Sequence, residues 1–409
     1  MTVSRTLPPA VVTGVDYITG FNTLRSLSEE GVPLIGLSTD PASFLMKTAR
    51  CSRIVVSSEE GLIESLIGLG GELEERAVLF PCTDSHVRLI SENREILEPF
   101  YIFELPSRET VRLLLDKVSF HNFALRNEIP VPESLIVREV ADSHRGRLEG
   151  LRFPCIVKPS IKNAVWEERY GKALKFRSAS ELSAAVPEML RYARRLVVQE
   201  WIPGPDLRIY FCLMYFHRED EPAAYFVGRK IRQWPPEIGS TAVAEGRFNR
   251  SVLSESIRIF RKTGYRGIGS VEYKYDRRRG LFLVMEPTVG RPNLQSYVAT
   301  ANGINIPYIA FCNMVGRELS AFHREEDPTP VKWVHELSDF RSARHHMRRG
   351  DLTWREWFRS LSGPKKYALF SLADPLPFIC TFFFFLSRFA RKKLSSWFQG
   401  LTSVLGRSG

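Results

Sequence analysis

GSVEYKYDRRRGLFLVMEPTVGRPN, residues 269–293, is the stretch on which the reading of this chain turns. Val271, Tyr273 and Tyr275 alternate with Glu272, Lys274 and Asp276, the period of two of a strand with one apolar face. A basic turn closed by Gly280 follows, then the continuous apolar run Leu281 to Met285, which predicts a hairpin with a buried second strand. Glu286 ends that run, where an ionised carboxylate is costly unless a cation or hydrogen-bond donors meet it. Glu272 is the natural companion. With Asp276 paired to Gly280, Glu272 lies opposite Val284 and Glu286 one diagonal step away on the same face, within reach of a shared metal ion. A four-residue loop would put the two glutamates on opposite faces, so a shared metal calls for an odd loop, Arg277 to Arg279 or Asp276 to Gly280. The competing reading gives each glutamate an arginine partner.

Composition narrows the class. The 409 residues, 44% hydrophobic and 25% charged, suit two or three folded domains with a sizeable core. Six cysteines are scattered without a CxxC pair, which indicates neither a zinc site nor a disulfide framework and fits a reducing cytoplasm. The opening MTVSRTLPPAVVTG has no long apolar core or small-residue cleavage site, so a secretory leader is not expected. The net charge of +11 is uneven: from Val331 onward 14 Lys and Arg face 5 Asp and Glu, a balance of +9. Basicity confined to a tail, without a recognisable motif, argues against nucleic acid as a partner.

Ala10–Gly14, a helix over Phe21–Glu30 and Val32–Leu37 form a strand, helix, strand unit of a parallel sheet, continued by Ile54–Ser57 and Ala77–Phe80. Gly14 and Gly20 do not make GxGxxG, so this is a Rossmann-like domain without the dinucleotide fingerprint. Thr83 and Asp84 stand where ligands gather in such sheets, at a strand's carboxyl end, although turn capping is the commoner role for such a pair. Arg108 to Asn127 has the spacing of one helix and carries Lys117; FPCIVKPS is a buried strand bearing Lys158; RYGKALKF adds Lys172 and Lys175. LVVQEWI ends in PGPD, and paired strands over Leu207–Phe216 and Ala223–Val227 lead into GRKIRQ, with Arg229, Lys230 and Arg232. Helices are expected over Ser251–Thr263 and Asn305–Phe322.

This ordered set resembles the ATP-grasp superfamily over roughly Val11 to Phe322, and in particular its carboxylate–amine ligases. The resemblance implies an α/β chain with a Rossmann-like parallel sheet over 1–106 and an ATP-grasp part over 107–325 with the nucleotide between two subdomains; beyond its reach, the basic, aromatic sequence over 326–409 reads as a mainly helical extension. It implies ATP and Mg2+ as cofactors and small-molecule carboxylate and amine substrates. Lys117, Lys158 and Lys172 would meet the nucleotide; Glu200, Trp201 and Ile202 would read the base edge; and Asp206 would take the ribose. Arg229 would join the phosphate contacts, with Lys230, Arg232 and Arg291 assisting transfer, and Glu272, Glu286 and Thr288 would bind the metal. Thr288 stands where most members have Asn, Arg291 comes one residue late, and Asn293 is close by. The phosphate-covering loop is SIKNAVWEERYGK, with Gly171 as its one flexible point and Trp166 an unusual occupant. An ATP-binding scaffold without ligase activity is the alternative reading.

His323, His335, His345 and His346 lack ligand spacing and read as packing or surface residues. In the tail, the apolar segment 368–393 contains the uninterrupted apolar run Phe378 to Leu386, which is far short of the roughly 20 residues a spanning helix needs. Beside Arg388, Arg391, Lys392 and Lys393 it reads as a peripheral contact with the inner face of the membrane or as a dimerisation element.

Overall fold

Short apolar runs, fully buried in its three central strands, build the first sheet in the computed structural model, which describes residues 7–143, 148, 150–217, 221–317 and 330–387. β1 (Ala10–Thr13), β2 (Leu34–Ser38), β3 (Arg53–Val56), β4 (Ala77–Phe80) and β5 (Tyr101–Ile102) lie in the order β3-β2-β1-β4-β5. All of these pairings are parallel, as buried β-α-β runs require. The order reverses between β1 and β4, which places Thr83 and Asp84 at the crevice where such sheets take ligands. Thr83 caps the helix Asp84–Glu92, accepting a bond from the His86 amide.

The second sheet is antiparallel: β6 (Ser134–Val137), β7 (Cys155–Pro159), β8 (Leu174–Phe176) and β9 (Leu196–Glu200), in the order β6-β9-β7-β8. Its own core joins Val157, Trp166, Leu182 and Leu196. The third sheet contains β10 (Ile209–Phe216), β11 (Ala224–Trp234), β12 (Ser240–Gly246), β13 (Gly267–Asp276), β14 (Leu281–Val289), β15 (Lys332–Val334) and β16 (Lys365–Tyr367). Its order is β14-β13-β10-β11-β12-β15-β16. One face of it shares a core with the first sheet, through Met214, Val271 and Val284 packed with Leu79 and Val87. The six cysteines are all free.

Several elements differ from the sequence reading. The helix expected over 108–127 breaks at Asp116, whose carboxylate accepts bonds from the Val118 and Ser119 amides and starts a second helix, Lys117–Arg126. Lys117 is therefore a first-turn residue beside β7, its amide bonded to the Ser160 carbonyl, rather than a mid-helix residue. The stretch read as a phosphate-covering loop holds a helix, Ala164–Tyr170, capped by Asn163 and anchored by a fully buried Trp166. The basic segment 229–232 belongs to β11, not to a loop after a shorter strand. β15 and β16, from the part expected to be mainly helical, extend the third sheet. The helix expected over 305–322 is Ile306–Met314, and residues 318–322 and His323 lie outside the described residues.

Candidate functional site

The hairpin β13–β14 brings Glu272 and Glu286 directly opposite each other, but not by the expected route. Asp276 pairs with Leu281, so the loop is the four-residue one, Arg277 to Gly280, that simple alternation says would separate the glutamates. A β-bulge corrects the parity: Tyr273 pairs with Val284 and Glu272 with Glu286, leaving Met285 as the extra residue. One inserted residue re-aims everything after it by a face. Thr288, two residues on from Glu286, pairs with Ser270, and Asn293 donates to Ser270 Oγ at 2.6 Å and Thr288 Oγ1 at 3.2 Å. The turn arginines do not serve these glutamates. Arg278 and Arg279 instead bind Asp276, at 2.9 and 2.7 Å, and Arg279 also reaches Glu200 at 2.7 Å and Glu133 at 3.0 Å.

Cations converge on the pair. Lys230 Nζ lies 2.8 Å from Glu272 Oε2. Burial alone would raise the Glu286 pKa, but Lys117, Lys162 and Lys158 outweigh it and hold the group down to about 2. Burial depresses Lys158 and Lys172, a tendency that Glu286 and Glu272 oppose in both. Lys172 also donates to Ser240 Oγ at 2.6 Å. Arg291 Nε meets Asp84 Oδ1 at 2.6 Å, and Lys162 Nζ meets Asp84 Oδ2 at 2.8 Å, so the crevice of the first sheet opens on the same charged cluster. Burial opposes ionisation of Asp84 as well, and Arg291 and Lys162 overcome it.

Behind the charged groups is a cleft between the second and third sheets, lined by Phe120, Val131, Val197, Val284 and Met285, with Lys117, Lys158, Gln199 and Glu286 as polar lining. Gln199, and not the expected Glu200, lines the cleft. Side chains alternate along β9, so Gln199 faces the cleft, 3.5 Å from Lys158 Nζ, while Glu200 is fully buried among Arg278, Arg279 and the Glu133 amide. The Glu200 and Trp201 amides are also spent, on the Glu133 and Pro154 carbonyls, so neither offers a free main-chain donor to a base edge. Trp201 instead carries Lys175 and Lys274 over its ring, at 4.0 and 4.8 Å, and Ile202 is buried. Asp206 accepts from the Gln233 amide and side chain at 2.9 and 3.0 Å. Beside it, burial pushes Lys274 down to about 8 against the pull of Asp206.

Of the three basic residues that β11 carries in this segment, one reaches the site. Ile231 has no partner in the ladder, so Lys230 and Arg232 pair with the consecutive residues Ala244 and Val243 and face opposite ways. Arg232 turns to a buried contact with Asp339, and Arg229 pairs with Glu245 at 2.7 Å. Arg232, expected at the transferring phosphate, thus faces Asp339 and not the glutamate pair. Among the residues sequence reasoning missed, Lys162 and Lys274 had no motif, and Gln199 was hidden by its acidic neighbour. Among the described residues no group of three His, Cys, Asp or Glu gathers as a metal site.

Just before Arg291, Gly290 has a φ of +65°, and an added Cβ there would stand 2.8 Å from Leu105 Cδ2 and 3.0 Å from Val87 Cγ1. Gly290→Ala is expected to cost about 2 kcal/mol, from left-handed strain and overpacking, read as a lower urea midpoint. The pH dependence follows from Glu286, whose folded pKa of about 2 lies below its ordinary 4.5. A depressed carboxylate stabilises the fold fully above its unfolded pKa and loses that contribution as pH falls through the folded value. Stability is thus expected to fall between pH 4.5 and about 2, less steeply in Glu286→Gln, as measured by urea unfolding.

No family model matches the chain. It is 25% identical over 257 residues to D-aspartate ligase of Enterococcus faecium, a match covering 60% of this chain and 61% of that enzyme, less than two thirds of the relative's length. The fold is similar to that of L-amino acid ligase from Bacillus licheniformis (TM-score 0.59, 14% identity, 81% of this chain and 80% of that one). It is also similar to biotin carboxylase from Campylobacter jejuni in a nucleotide complex (TM-score 0.60, 16% identity, 79% and 74%). With its parallel first sheet and the cleft between its second and third sheets, the chain has an ATP-grasp fold and resembles the carboxylate–amine ligases of that superfamily.

Proposed function

We propose that the chain is a cytoplasmic ATP- and Mg2+-dependent ligase that joins a small-molecule carboxylate to an amine. The observation that carries this reading is the cross-strand pair Glu272–Glu286 set among Lys117, Lys158, Lys162 and Lys230. In this reading the apolar part of the cleft takes the adenine, Gln199 reads its edge, and Asp206 accepts from the ribose through its remaining lone pairs. Lys117 and Lys158 neutralise the phosphates. Glu272 and Glu286, with Thr288 and Asn293 beside them, offer only hard oxygen ligands from side chains, and two carboxylates completed by phosphate oxygens is a donor set magnesium favours. The bound ion would supply charge neutralisation at the γ-phosphate.

A substrate carboxylate oxygen attacks the γ-phosphorus and ADP leaves; the amine then attacks the acyl carbon and phosphate leaves. The protein supplies positioning and fixed positive charge, and no protein nucleophile is needed. The test is phosphate release from ATP and Mg2+ with panels of carboxylates and amines. Amino acids come first, because the sequence relative is an amino-acid ligase by name. Amine-dependent release is expected; ATP turnover indifferent to every amine would sink the reading. Tight ATP binding without turnover would give the second reading, a nucleotide-binding scaffold, which the commitment of Arg291 to Asp84 favours.

A further inference from the structure

The helix over 376–387 is apolar on two sides, and the protein covers one of them. Phe378 packs on the cluster of Phe21, Leu45 and Leu369 and stacks on Phe382 at 5.7 Å, while the Arg341 guanidinium lies 4.9 Å over the Phe385 ring. These contacts fix the helix in place. Leu376, Ile379, Phe383 and Leu386, spaced three and four apart, form a second stripe and are 52, 40, 64 and 42% exposed. Leu372, just before the helix, is 88% exposed. A contiguous stripe of large apolar side chains on a fixed helix marks an interaction surface, unlike scattered exposed leucines.

Charge decides what covers it. Immediately after the helix the sequence carries Arg388, Arg391, Lys392 and Lys393, with Arg407 further on and no acidic residue, although these positions lie outside the described residues. Among the described residues, Arg341, Arg344, Arg348, Lys365 and Lys366 add positive charge in the elements that lead to the helix. Two copies meeting stripe to stripe would bring these like charges together, whereas an anionic bilayer offers opposite ones. Among the described residues no helix is long and apolar enough to cross a membrane. We propose that the stripe seats this protein on an anionic lipid surface, with the helix over 376–387 lying in the plane of the interface. This inference is independent of the ligase reading.

Flotation of the full chain with vesicles of phosphatidylcholine, with and without phosphatidylglycerol, tests it. Co-flotation with the anionic vesicles is expected, falling more than about tenfold on neutral vesicles, in high salt, or in Ile379→Glu/Phe383→Glu. Both substituted positions are exposed, so an unchanged melting curve confirms that the variant is folded. Failure of the parent chain to float, or equal flotation by the variant, overturns the proposal. A parent dimer that the variant splits, together with no flotation, would assign the stripe to a second copy and likewise overturn it.

Discussion

Glu286→Gln is expected to lower ATP turnover at least about a thousandfold, a loss of about 4 kcal/mol of transition-state stabilisation, while the protein remains folded. The substitution keeps the side chain's shape and removes the charge on which Lys117, Lys162 and Lys158 converge. It also removes one of the two carboxylates that face each other across the bulged hairpin. The same change separates catalysis from folding. From the depressed pKa, the carboxylate contributes up to about 3 kcal/mol to stability at neutral pH, so the variant's urea midpoint should fall by a measurable but tolerable amount. ATP binding without metal should persist, because the lysines proposed to meet the phosphates remain. Turnover within threefold of the parent's would rule out a metal-holding role for Glu286.

Much of this site was legible because strands have a strict period. Glu272 and Glu286 stood out as acids on and beside apolar runs, and Lys158 as a cation inside one. Alternation put both glutamates on one face as observed, but through the wrong loop and with Glu272 opposite Val284 instead of Glu286, since a bulge at Met285 leaves no mark in an apolar run of five residues. A second bulge at Ile231 carried the other large error, because alternation alone groups Lys230 with Arg232 and the ladder separates them. Gln199 and Glu200 are adjacent polar residues at the end of a buried strand, and only the register of the neighbouring strands says which faces the cleft. Asp116 was readable: an aspartate just before Lys117 is a helix-start signal, and the apolar spacing across 108–127 masked it. Lys162 could not be found, since its place depends on Asp84, 78 residues away in the chain.

Asp339→Ala should cost about 3–5 kcal/mol, the largest stability loss expected of a single substitution here. Asp339 is 1% exposed and Arg232 6% exposed, and their 2.6 Å bond ties β11 to the helix Glu336–Arg348. The network closes with Trp357 Nε1 donating to Asp339 Oδ2 at 2.8 Å and Arg232 Nη1 donating to Ser360 Oγ at 2.6 Å. Arg232 Nη2 is buried without a hydrogen-bond partner, so the guanidinium is already under-satisfied, and removing Asp339 would leave its charge without its close counter-ion. The double variant Arg232→Met/Asp339→Leu removes both charges and should recover most of the stability lost by the single one, since an apolar pair of similar volume replaces a desolvated ion pair at little cost. That pairing of variants also decides the role of Arg232. A brace predicts that the double variant regains turnover along with its urea midpoint, because Lys230 on the opposite face still meets Glu272. A phosphate ligand predicts restored stability with turnover still lost, and that result would return Arg232 to the catalytic site.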